Sequence, residues 1–113
     1  MAKPRVEPSF VAKIQFLSPE DGGLKDPVFQ GYKPSLMYER SDEDETSMIW
    51  PLFVDLEGRK YPNGYPIPQV CCAEMYVINK ALKARSRIQE GLEFAFVEGT
   101  HPVAYGVVTK VNV

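Results

Sequence analysis

The chain has 113 residues, a net charge of −2, and hydrophobic and charged shares of 44% and 25%. Those values describe one globular domain with a single core. They exclude an overall cationic surface of the kind that grips nucleic acid or anionic lipid, and no apolar run reaches the roughly 18 residues that a membrane-spanning helix needs.

Residues 1–9 are polar and contain Pro4 and Pro8, which predicts a flexible tail ahead of a single domain over 10–113. The tail lacks the apolar centre of a signal peptide, so a cytoplasmic location is expected. Residues 10–17 alternate: Phe10, Ala12, Ile14 and Phe16 share one face, opposite Lys13 and Gln15. That period of two predicts a half-buried strand.

A long loop follows over 18–34. Gly22 and Gly23 allow positive φ in a tight reversal, and Phe29 and Tyr32 are expected to pin the loop to the domain wall. Loops this long in small domains are often binding elements. Ser35–Tyr38 reads as a short strand. The acidic run Asp42, Glu43, Asp44 and Glu45 reads as a solvated loop tip, because its spacing does not match a calcium loop.

Met48, Trp50, Leu52 and Val54 alternate with Ile49, Pro51, Phe53 and Asp55, a strand apolar on both faces. Pro51 lacks a ladder donor and suggests an edge or a bulge. Residues 61–68, YPNGYPIP, form a turn-rich connector with its reversal at Asn63-Gly64. Strands are predicted at 70–78, 92–97 and 103–113, with Gly106 as a candidate bulge. Between the first two, 79–89 carries Lys80, Lys83, Arg85 and Arg87 and reads as a solvated loop or a single helical turn. Six strands separated by turn signals predict an all-β, closed antiparallel barrel.

Catalytic signals are sparse. No phosphate-cradling glycine motif is present. The single histidine, His101, has no sequence-evident nucleophile or carboxylate partner. Cys71 and Cys72 are adjacent, so a strand sends them to opposite faces, and they do not supply the three or so ligands of a zinc site. The expectation is one core thiol and one on the other face, no metal, no cofactor and no enzyme. Asp21, Asp26, His101 and Cys72 are the only catalytic candidates that can be named.

Both ends of the chain carry a further pattern. After the first strand come Leu17, Asp21, Gly22 and Gly23, then Phe29, Gly31, Tyr32 and Pro34. Near the C-terminus come Gly91, Leu92, Phe94, Ala95, Glu98 and Gly99, then Val103, Gly106, Val107 and Val108. In their order these residues resemble the third, C-terminal barrel domain of elongation factor Tu over 10–111, with the match loose between 39 and 89.

The resemblance implies a six-stranded antiparallel barrel that, in the intact factor, packs on a neighbouring barrel and a GTPase domain and touches the T-stem of aminoacyl-tRNA and a nucleotide-exchange partner. Nucleotide hydrolysis belongs to the GTPase domain, which these residues do not contain, so the chain reads as a stand-alone, non-catalytic module. The resemblance implies a binding surface at Gly22, Gly23, Lys25, Tyr32, Glu98, Gly99 and His101. Three positions depart from the family: Leu24 stands for an arginine, Ser35 for a glutamine and His101 for a basic residue. Leucine and serine cannot replace a bidentate phosphate clamp.

The expected partner is therefore a protein, or tRNA or another translation component, and not a membrane. The alternative is a generic protein-interaction barrel with an unrelated partner, or one that forms a homo-oligomer. Self-association would be favoured by an exposed apolar face around Ile49, Pro51 and Phe53.

Overall fold

The computed structural model describes residues 10–38, 47–77, 89–99 and 101–111. The sequence readings for the N-terminal tail, the acidic run and the basic cluster fall outside them. Six strands are present: β1 (Phe10–Phe16), β2 (Ser35–Tyr38), β3 (Ser47–Val54), β4 (Val70–Val77), β5 (Glu93–Glu98) and β6 (His101–Val111). Every strand lies where the alternation of apolar residues puts it, with ends shifted by one or two residues.

All pairings are antiparallel, in the order β1-β4-β3-β2-β5-β6, and β6 pairs back onto β1. The sheet therefore curls until its two ends meet, but not evenly. Among the described residues seven pairs join β1 to β6 and six join β1 to β4, whereas two, Ser35↔Met48 and Leu36↔Ser47, join β2 to β3. The closed barrel expected from the sequence is corrected to a curled six-stranded sheet with one thin seam among the described residues. The reason is register: β2 begins at Ser35, which pairs with Met48, so residues 49–54 run past the start of their neighbour.

The inward face of each strand forms the core. Phe10, Ala12, Ile14 and Phe16 from β1 meet Phe53, Cys71, Ala73, Met75, Phe94, Phe96, Ala104 and Val108. Five phenylalanines are in mutual contact, with ring centroids 5.8–6.3 Å apart, within the range for favourable aromatic pairs.

Ile49, Pro51 and Phe53 belong to this core and are no more than 2% exposed. The exposed apolar face expected there is overturned, because β3 turns its odd-numbered residues inward. Trp50, at 48% exposure, marks the outer face. The reading of Pro51 as an edge residue is consistent with the thin seam. Phe53 directs its N–H and C=O away from β4, and the backbone of Pro51, two residues back, faces the same way. A residue without an N–H costs nothing where there is no strand to receive one.

Gly106 is not at a bulge. The register shifts fall between Val11 and Ala12 and between Phe96 and Val97. Gly106 is needed for space instead: a Cβ there would lie 2.4 Å from Cζ of Phe94 and 2.8 Å from Cδ1 of Ile14. Cys71 is fully buried and Cys72 lies half-buried on the outer face, as their adjacency in a strand requires.

Candidate binding end

The loop over 18–34 begins where β1 ends, tied to β6 by Leu17 N–H donating to the Val103 carbonyl at 2.9 Å. Pro19–Asp21 makes one 3-10 turn. Pro19 occupies the first helical position, where its missing N–H is no loss, and the Ser18 hydroxyl donates to Asp21 Oδ2 at 2.9 Å.

The turn stops at Gly22, whose φ of 96° is left-handed, a conformation glycine adopts without penalty. Gly23 answers a different need. Its N–H donates to the Ser18 carbonyl at 2.8 Å, and a Cβ at Gly23 would stand 1.9 Å from the Leu17 carbonyl oxygen. Of the two glycines, only Gly22 supplies positive φ; Gly23 allows backbone to approach backbone.

This geometry aims the Gly22 carbonyl at the β5–β6 hairpin. Nε2 of His101, the first residue of β6, donates to it at 2.7 Å. The imidazole makes this bond as the Nε2–H tautomer or as the imidazolium. The hairpin reverses at Gly99, with φ 64°, between the paired residues Glu98 and His101.

A second bond clasps the same hairpin: the Tyr32 hydroxyl donates to Glu98 Oε1 at 2.8 Å. Burial, and then the Glu98 carboxylate that accepts its proton, raise the Tyr32 pKa well above the ordinary phenolic value. Tyr32 therefore remains a neutral donor throughout the physiological range. Gly22 with His101 and Tyr32 with Glu98 thus form two clasps from one loop to one turn, and Gly23 and Gly99 permit the backbone paths between them.

Lys25 stands apart from the clasps. It is exposed and lies on the rim of a shallow groove of about 370 Å³, beside Leu24, Phe29 and Tyr32. The structure therefore brings six of the seven predicted binding residues into one end of the fold and leaves Lys25 on the adjoining groove. The named catalytic candidates do not converge in the same way. Asp21 is engaged by Ser18, Asp26 is exposed in the loop, and Cys72 is across the β1–β4 ladder from Lys13. Among the described residues no three His, Cys, Asp or Glu side chains are grouped to hold a metal.

Two loop residues carry more than the sequence suggested. Phe29 is 40% exposed, so it does not pin the loop; Val28 does, 9% exposed, with its carbonyl accepting from Ile67 N–H at 2.8 Å. Gln30 was not anticipated at all. Its Oε1 accepts from Phe53 N–H at 2.9 Å, while its Nε2 donates to the Phe53 carbonyl at 2.6 Å and the Tyr61 carbonyl at 3.1 Å. The carboxamide copies the donor–acceptor pair of a strand residue along the uncovered edge of β3. Nothing local marks it, since its partners lie 23 and 31 residues away.

The family model described as the elongation factor Tu C-terminal domain matches residues 3–112.

Proposed function

Because the chain belongs to the elongation factor Tu C-terminal domain family, we propose that it is a non-catalytic cytoplasmic binding module that contacts a protein or RNA of the translation apparatus. The contact surface in this reading is the clasped end: Gly22, Gly23, Tyr32, Glu98, Gly99 and His101, with Lys25 beside it. The supporting observation is the pair of clasps at 2.7 and 2.8 Å. They hold a long loop against a hairpin turn in one arrangement, which lowers the ordering cost of any partner that touches both.

An enzyme is disfavoured in this reading, because Asp21 is engaged by Ser18, His101 by the Gly22 carbonyl, and Cys72 lies on the outer face. A homo-oligomer built on Ile49, Pro51 and Phe53 loses its motive, because those residues are core. No described helix is long and apolar enough to cross a membrane.

The test is an electrophoretic shift with tRNA at two salt concentrations, alongside affinity capture with purified ribosomal and translation-factor components. Binding to tRNA that weakens steeply with salt supports an RNA contact. Salt-insensitive capture of a translation factor supports a protein contact. Retention of neither by a folded chain removes the proposal.

A further inference from the structure

The outer wall formed by β3, β4 and β1 lies away from the clasped end, and it has an unusual centre. Glu74 sits in the middle of β4. Its cross-strand neighbours on the same face are Leu52 and Val11, and its neighbours along the strand are Cys72 and Tyr76. All four are half-buried, as is Glu74, and Trp50 continues the wall at 48% exposure.

Glutamate is depleted in strands, and among the described residues the nearest cations on this face are Lys13, diagonal to it, and Lys110, across from Val11. The carboxylate has no hydrogen bond or ion pair among the described residues. Lys13 and Lys33 stand at the rim instead. Lys13 is across from Cys72 rather than Glu74, and the Lys33 ammonium lies 4.8 Å from the centre of the Trp50 ring, in cation–π contact.

An apolar field containing tryptophan and tyrosine has the composition of an interface core. The carboxylate at its centre, which has no ion pair among the described residues, indicates the charge of a partner that would fit it. We propose that this wall is a protein-docking surface whose partner inserts a cationic side chain, best an arginine, from within an apolar patch of its own. Arginine suits the role because its guanidinium pairs a carboxylate with two parallel bonds and is weakly hydrated, so it tolerates an apolar surround.

The same carboxylate opposes nucleic acid and anionic lipid, whose phosphates it would face directly. A second copy of the chain is the competing occupant, and it would have to supply the cation from a residue other than Arg59. Arg59, the arginine among the described residues, is already held by Asp55 and Glu57. The inference does not rest on the function proposed for the clasped end, because the two surfaces share no residue.

Trp50 is the only tryptophan, so its fluorescence reports the wall directly. The experiment titrates the full chain with two short amphipathic helical peptides, identical except for arginine or glutamate at the centre of the apolar face. A duplex RNA is titrated in parallel. Amide resonances are followed together with Trp50 emission.

The expected result is that the arginine peptide shifts Trp50 emission, moves the amides of Val11, Leu52, Cys72 and Glu74, and binds roughly tenfold tighter than the glutamate peptide. Glu74→Lys, at a half-exposed position, should keep the fold by its amide spectrum and reverse that preference. Equal binding of both peptides, an unchanged preference in Glu74→Lys, movement of the same amides by RNA, or association of the chain with itself through this wall would each overturn the proposal.

Discussion

The β1–β6 seam and the β2–β3 seam join strands of the same curled sheet by different means. Among the described residues the first is a backbone ladder of seven pairs, while the second has two. Beyond those two pairs, one glutamine side chain takes up the role of the missing strand. Gln30 gives the Phe53 backbone the donor and acceptor that a neighbouring residue would otherwise supply. The contrast teaches that a curled sheet can tolerate a gap in its ladder if the exposed groups are answered one by one. Here Pro51 has no donor to answer, Phe53 is answered by Gln30, and Tyr61 N–H reaches back to the Phe53 carbonyl at 3.3 Å. This is also how an open strand edge is kept from pairing with another chain.

Three measurements sharpen or break that contrast. The largest effect is expected at Gly23, where the loop leaves the thick seam. Gly23→Ala places a methyl group against the Leu17 carbonyl oxygen, and neither side is a flexible side chain that could yield. A loss of about 4 kcal/mol in urea unfolding is expected, at the upper end for one substitution. Gly31→Ala serves as the control. It meets nothing within 4 Å and carries only the penalty of its positive φ, about 1 kcal/mol. Equal stability of the two variants would mean that the loop is not fixed at Gly23.

Next comes the thin seam itself. Gln30→Leu keeps a side chain of similar length but leaves the Phe53 N–H and C=O without the carboxamide. A loss of about 1–3 kcal/mol is expected for the Phe53 N–H left unpaired, its carbonyl keeping the Tyr61 N–H, with faster hydrogen exchange confined to β3 and residues 59–61. Uniformly faster exchange around the whole sheet would show that the two seams open together and that the contrast is only geometric.

The smallest effect concerns Cys71, in the thick half at register with Ile14. Burial, and then the neighbouring Cys72, push its thiol up from 9.0 to about 12. The native thiol then holds its proton where the unfolded one has lost it. Between pH 9 and 12 the native state binds more protons, so stability falls as pH rises through that window. At pH 8, iodoacetamide should modify Cys72 in the native protein while Cys71 reacts only at the rate of global unfolding. Reaction of Cys71 at the faster rate of β3 exchange would show that opening the thin seam exposes the core.

The strands were readable before any coordinates because period-two alternation is a local property. Phe10, Ala12, Ile14 and Phe16 announce a buried face, and all four are in the core. The family pattern at Gly22-Gly23 and Glu98-Gly99 was readable too, although its reasons were not. The sequence cannot distinguish a glycine that supplies positive φ, as Gly22 does, from one that makes room for a carbonyl, as Gly23 does. It also left the faces of β3 ambiguous, since both are apolar. Ile49, Pro51 and Phe53 could have been either wall, and only the register against β4 turned them inward.

The sequence by itself determined the number of strands, their approximate ends, the opposite placement of the two thiols and the family. Each of these is encoded in alternation or in short-range spacing. The tertiary structure alone decided that Gln30 completes the β3 edge, that His101 and Tyr32 clasp the same loop to the same turn, and that Glu74 stands between Val11 and Leu52 with no ion pair among the described residues. Those facts join residues far apart in the chain, and a hydrogen bond or its absence depends on distances that spacing along the sequence does not fix.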